Sequence, residues 1–160
     1  FAGLMHIDPA DTTNDYIDLL RCANKLNISS SQIEQIVKLM LFNAIFGNKD
    51  DHAANFSFLM NNIGKWAFAP AYDLTYASNG YHQMYIGVNV LNRISYNKLY
   101  EVLKPFNITE SFLKENIKKM IDLKHSQLFK KFSEYDIPES FAKHILEDTK
   151  AVDELLTKGV

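Results

Sequence analysis

Gly47-Asn48-Lys49-Asp50-Asp51-His52-Ala53-Ala54-Asn55 lies between two different hydrophobic periods, and that change of period decides the fold. On its N-terminal side Ile33, Ile36, Val37, Met40, Leu41 and Ile45 recur at helical spacing. Gly47 is the stop signal, because glycine takes the left-handed conformation at a helix C-terminus without a Cβ penalty. The helix is expected to start at Ser30 or Ser31, with Ser31 and Glu34 forming a capping box. On the C-terminal side, Phe56-Ser57-Phe58-Leu59-Met60 and Lys65-Trp66-Ala67-Phe68-Ala69 are rich in aromatics and alternate or run apolar. They flank Asn61-Asn62-Ile63-Gly64 and read as a β-hairpin. A helix thus delivers the chain into a polar loop that opens into a hairpin.

Pro70 stops the second strand, since it has no N–H for continued pairing, and leaves Ala71-Tyr72-Asp73 irregular. A hairpin that returns toward its own start sets Asp73 near Asn55, although 18 positions separate them. Asp50, Asn55 and Asp73 then suit metal-assisted phosphoryl transfer: one carboxylate orients the attacking hydroxyl, while an amide oxygen and a second carboxylate hold Mg²⁺ against nucleotide phosphates. Protein kinases place an Asn five positions after the catalytic Asp, and Asp50 and Asn55 have that offset. Taken singly, an Asp or Asn near Gly is a turn former, so the joint pattern carries the reading. Asp51 competes for the base role, but the offset favours Asp50 and leaves Asp51 solvent-facing or loop-ordering. His52 either braces the loop, through a backbone carbonyl or Asp73, or is itself a general base. Trp66 and Tyr72 are expected as core aromatics beneath the loop.

Outside this region, Asn14 is the expected cap of a helix over residues 15–25, with Tyr16, Leu19, Leu20 and Ala23 on one face. Residues 76–92 are less regular, with a tight turn at Asn79-Gly80 and an extended piece at Met84-Tyr85-Ile86-Gly87-Val88, and no chemistry is assigned there. Ser95 and Thr109 are N-cap candidates, Pro105 breaks the pattern between them, and Pro138 suits the first turn of a final helix. These signals predict three helices of roughly 9, 20 and 18 residues, bundled behind the loop and hairpin. Lys114, Lys118, Lys119, Lys124, Lys130 and Lys131 are interspersed with Glu110, Glu115, Asp122 and Glu134, the pattern of a solvated helix face rather than a docking surface. The expected fold class is mainly α (α+β).

A chain of 160 residues that is 47% hydrophobic suffices for one buried core, and a single domain is expected. Net charge −2, from 17 basic and 19 acidic side chains, leaves no electrostatic footprint for direct nucleic-acid binding or an anionic membrane. Cys22 is alone, so no internal disulfide forms, and His6, His52, His82, His125 and His144 are too scattered for a zinc site. No signal segment and no apolar run of about 18 residues occurs, and a soluble cytoplasmic protein is expected.

These motifs resemble a known family. Gly47-Asn48-x-Asp50-Asp51-His52-x-x-Asn55-Phe56-Ser57, then Ala69-Pro70-Ala71-Tyr72-Asp73-Leu74, then Met84-x-Ile86-Gly87 with Arg93-Ile94-Ser95 are similar to the C-terminal domain of HipA-type serine/threonine kinases, toxins of bacterial toxin–antitoxin systems. Tyr16-x-Asp18-Leu19-Leu20-Arg21 extends the likeness upstream. The resemblance implies a helical bundle like a protein-kinase C-lobe, with the small hairpin carrying the catalytic and metal loops. It implies Asp50 as catalytic base, His52 as part of the catalytic-loop framework, and Asn55 and Asp73 as ligands of Mg²⁺ and through it of ATP. It further implies transfer of the ATP γ-phosphate to a serine or threonine of a protein substrate, aminoacyl-tRNA synthetases among them, and restraint by a DNA-binding antitoxin.

The sequence also departs from a whole kinase. It contains no Gly-rich phosphate loop and no Val-Ala-Ile-Lys-like strand, and it opens at Phe1 inside what the family makes one continuous domain. The expectation is a fragment truncated at its N-terminus, with little or no activity alone. Two alternatives stay open: a non-catalytic partner-binding module of a split or degenerate kinase, and a phosphotransferase acting on a small-molecule hydroxyl.

Overall fold

Helix α3 (Ser30–Phe46) is the element on which the others are assembled. The six residues that gave its period are all buried, and so are Leu39, Asn43 and Ala44, so apolar or neutral surface faces neighbours on most sides. A helix with that distribution belongs in the centre of a bundle. A short α1 (Ala2–Met5) opens the chain, and α3 packs against α2 (Tyr16–Lys25), α5 (Glu110–Glu134) and α6 (Glu139–Thr157). The computed structural model describes residues 1–8, 14–78 and 80–159.

α3 ends as its sequence predicts. Gly47 has φ 71° and the Asn48 N–H closes on the Asn43 carbonyl at 2.9 Å, the long bond of a Schellman motif. A Cβ at Gly47 would also come within 3.1 Å of the Tyr76 ring, so this close approach requires glycine as well. The helix starts at Ser30, as expected, but without the expected capping box. Ser29 is the N-cap and makes no side-chain capping bond, which places Ser31 inside the first turn and out of register for a box with Glu34. α2 is likewise capped one residue later than expected, by Asp15, whose carboxylate accepts from the Ile17 N–H at 2.7 Å.

The hairpin is present, with β1 (Phe58–Met60) antiparallel to β2 (Trp66–Phe68) and Phe58 opposite Phe68. A second short pair, β3 (Tyr85–Ile86) and β4 (Asn89–Val90), turns through Gly87 and Val88, both at positive φ. The Asp15 carboxylate accepts from the N–H groups of Gly87 (3.0 Å) and Val88 (3.1 Å) as well, so one side chain both caps α2 and holds this turn. The tight turn expected at Asn79-Gly80 involves Asn79, which lies outside the described residues.

The three C-terminal helices span 8, 25 and 19 residues: α4 (Tyr96–Leu103), α5 and α6. Thr109 caps α5 by accepting from the Phe112 N–H at 3.1 Å, and Pro138 is the N-cap of α6. One lysine breaks the solvated-face reading. Lys124 shares the inner face of α5 with Leu113, Ile117, Ile121 and Leu128 and is 1% exposed. Its ammonium donates to Asp153 Oδ1 (2.7 Å), Thr149 Oγ1 (2.7 Å) and the Ile45 carbonyl (2.9 Å), which lies in the last turn of α3. Burial lowers its pKa while Asp153 opposes that shift. The cation saturates a carbonyl that the end of α3 would otherwise leave unpaired, fastening α5 and α6 to the point from which the polar loop departs. Among the described residues, no helix is long and apolar enough to cross a membrane.

Candidate active site

Three consecutive residues leaving α3 have different fates. Lys49 is buried and reaches α6, donating to Asp148 Oδ2 at 2.9 Å and to the Ser78 carbonyl at 3.3 Å. Asp51 is 1% exposed and accepts from the Tyr16 hydroxyl (2.8 Å), the His82 ring (Nδ1, 3.0 Å) and the Gln83 N–H (2.8 Å). Asp50, between two anchored neighbours, is left partly open, and its carboxylate accepts from Gln83 Nε2 at 3.0 Å. Of the two roles the sequence left for Asp51, the structure therefore selects loop-ordering.

The anchoring of Asp51 continues inward. Asn43 donates to the Tyr16 oxygen at 2.9 Å, and Asn48 donates to Asn43 at 3.0 Å. Burial, and then the adjacent Asp51 charge, push the Tyr16 hydroxyl well above the usual tyrosine range, so it stays a donor. A carboxylate only accepts, so the proton in the His82–Asp51 bond sits on Nδ1. Buried polar chains of this kind are worth most when complete, since each member lost leaves another unpaired in low dielectric.

His52 lies beside Asp50, with Nε2 at 3.9 Å from Oδ1, beyond hydrogen-bond reach. Its Nδ1 is buried without a partner, and among the described residues neither expected bracing bond, to a carbonyl or to Asp73, is made. Asn55 closes the loop: after a short 3-10 turn at Ala53–Asn55 its amide nitrogen donates to the Asp50 carbonyl at 2.8 Å. That bond fixes which end of the amide is occupied and leaves its oxygen as an acceptor facing away from the donor side.

The segment that precedes Asp73 is tied to the loop by Tyr72. The Ala69 N–H pairs with the Ser57 carbonyl at 2.9 Å, extending the hairpin toward its base. The Tyr72 hydroxyl then donates to the Ala54 carbonyl at 2.7 Å, next to Asn55. Tyr72 is 40% exposed, so it is a strap across the loop rather than the core aromatic its type suggested, and Trp66 is half-buried, packing against the edge of the core rather than within it. Asp73 itself is exposed at φ 54°, a left-handed conformation that Asp tolerates better than most residues. Its carboxylate has no hydrogen bond or ion pair among the described residues.

An amide oxygen and a free carboxylate are hard oxygen donors of the kind Mg²⁺ takes, in the small number it accepts from protein when phosphates and water fill the rest. Among the described residues no group of three or more His, Cys, Asp or Glu side chains forms a metal cluster, so a protein-only cage is not what this geometry offers. Gln83 and His82 were missed in the sequence because they lie in the irregular stretch to which no chemistry was assigned. The adjacent Met84-x-Ile86-Gly87 motif was the one available signal that this stretch belongs with the loop.

A family model described as the HipA-like C-terminal domain matches residues 1–154. A comparison with curated proteins returns no match.

Proposed function

The chain belongs to the HipA-like C-terminal domain family, and from that premise we propose that it carries the phosphate-transfer half of a serine/threonine protein kinase, with Asp50 as base and Asn55 and Asp73 as the Mg²⁺–ATP ligands. The main support is the bonding of Asn55, whose nitrogen is committed to the Asp50 carbonyl so that its oxygen and the base are set by one contact. Asp50 orients and accepts the proton of a protein hydroxyl, and Gln83 restricts its carboxylate to one direction. His52, beside Asp50, shapes the same loop. Bound Mg²⁺ supplies counter-charge to the phosphate oxygens where negative charge gathers. The residues that cradle the nucleotide phosphates in kinases have no counterpart in this sequence, so the proposal includes further elements that position ATP. Its partners, by the family resemblance, are a protein substrate such as an aminoacyl-tRNA synthetase and a DNA-binding antitoxin.

Calorimetric titration with ATP, with and without Mg²⁺, tests the metal half. Asp73→Asn keeps the left-handed turn and removes the charge, and should abolish the Mg²⁺-dependent part of binding. Asp50→Asn should keep that binding and lose about 10²–10⁴-fold in phosphate transfer to a protein hydroxyl once ATP is positioned. Unchanged Mg²⁺-dependent binding in the first variant, or wild-type transfer in the second, rules the assignment out.

A further inference from the structure

A cleft of about 480 Å³ is walled by Tyr81, His82, Gln83, Tyr85, Val90 and Arg93, and its link to Asp50, which does not line it, is the Gln83 side chain. Gln83 belongs to both sites, since its side chain holds the Asp50 carboxylate and its surface lines the cleft. None of Asn55, Asp73 or the Pro70 segment lines it, so the cleft is separate from the candidate metal ligands. On the reading of Asp50 as base, Gln83 joins the base to a surface that those ligands leave free.

Part of the wall is fixed before any ligand comes. His82 and Gln83 are bonded to buried Asp51, Tyr85 pairs its N–H with the Asn14 carbonyl at 2.8 Å, and β3 and β4 are held to α2 through Asp15. Such a preformed site gives up little entropy on binding. Besides His82 and Gln83, the lining is two phenol rings, an aliphatic side chain and one cation. Arg93 lies over the Tyr81 ring at 5.9 Å from its centre and has no carboxylate partner among the described residues. The other arginine, Arg21, is paired with Asp18 at 2.9 Å. A guanidinium held against a ring, with its fork of donors unspent, is matched by a planar carboxylate.

We propose that this cleft is the acceptor-segment subsite, and that it selects a protein segment carrying a glutamate or aspartate next to the serine or threonine presented to Asp50. The proposal rests on the kinase reading for the identity of the base, and its test does not use transfer as the only readout. Fluorescence anisotropy of the chain would be followed with labelled short peptides that have one central serine flanked by glutamate, by glutamine or by lysine. The glutamate peptide should bind about ten-fold tighter than the glutamine one, the difference expected of a charge-assisted hydrogen bond. Arg93→Glu should lose that preference and gain the lysine peptide, a reversal that a merely destabilised fold would not produce. Val90→Asp, which places a like charge in the wall, should weaken the glutamate peptide while leaving far-ultraviolet circular dichroism unchanged.

Equal binding of the three peptides, or a preference that Arg93→Glu does not reverse, overturns the proposal. So does tighter binding by a single-stranded RNA oligomer, which would assign the rings and the cation to stacking and phosphate. Charge-selective peptide binding together with Mg²⁺-dependent ATP binding that Asp73→Asn leaves unchanged would sink the kinase reading alone, whereas loss of that ATP binding in Asp73→Asn with no flank preference would sink the subsite alone.

Discussion

The hydroxyl of Tyr72 donates to the main-chain carbonyl of Ala54 at 2.7 Å. Its single proton is spent there, so the Ser57 hydroxyl, also at 2.7 Å, is the donor to the Tyr72 oxygen. Two segments that are distant in sequence are thereby closed on each other beside Asn55 and Asp73. Tyr72→Phe removes both bonds at an exposed position and should cost stability no more than about 1 kcal/mol. It should nonetheless weaken Mg²⁺-dependent ATP binding several-fold, because the Asp73 turn loses its strap. Titration of the variant against wild type checks this, and equal affinities would show that the turn is held by other means.

Asp51 is the acceptor for three donors at once, so removing it leaves each of them short of a partner. Asp51→Ala should destabilise the fold by about 3 kcal/mol or more, and Tyr16→Phe by only about 1–2 kcal/mol, since the phenol loss still leaves Asp51 two donors. Urea denaturation of both, with the double variant, measures the coupling. Additive losses would show that the chain of polar contacts does not act as a unit.

Val88 is 90% exposed and sits at φ 62°. A β-branched residue in that conformation costs about 1–2 kcal/mol and here gains no packing in return. Val88→Asn should therefore raise stability by roughly 1 kcal/mol. Gly87→Ala should do the reverse, because the turn needs positive φ there too and the new Cβ would meet Val102 at 2.9 Å. Thermal unfolding of the two variants should move in opposite directions, and a loss in Val88→Asn would contradict the strain.

Tyr76 bonds Asp148 at 3.2 Å, and burial, then the Asp148 charge, push its pKa from 10.0 up to about 12. The unfolded chain releases this proton near the lower value and the folded chain keeps it to the higher one. The folded state therefore binds more protons across that window, and stability falls as pH rises through it. Below the window the contribution is fully present. Tyr76→Phe should flatten the alkaline limb of a stability–pH curve, and an unchanged limb would assign the loss to Tyr16 and Tyr96, which are shifted in the same direction.

Much of the fold was readable from local signals. The period of α3, the glycine that ends it, the aromatic hairpin and the proline that stops it each act through residues a few positions apart, and the structure contains all of them. Cap positions slipped by one or two residues at Asp15 and Ser29, because several polar residues in a row offer equivalent local bonds and only packing chooses among them. Lys124 was misread for a related reason. Its charge suggested solvent, yet its spacing from Ile117 and Ile121 places it inward, and it is stable there only because Asp153, Thr149 and the Ile45 carbonyl converge on it.

By itself, the sequence determined the helix–loop–hairpin order, and with it the five-residue offset of Asp50 and Asn55 and the placing of Asp73 after a returning strand. These follow from backbone propensity and period, which are local. Only the tertiary structure decided that Asp51 faces inward, that Tyr72 lies across the loop, and that Gln83 reaches back 33 positions to steer Asp50. Those contacts join segments whose meeting depends on the whole bundle, and hydrogen bonds between such segments leave no periodic trace in the chain.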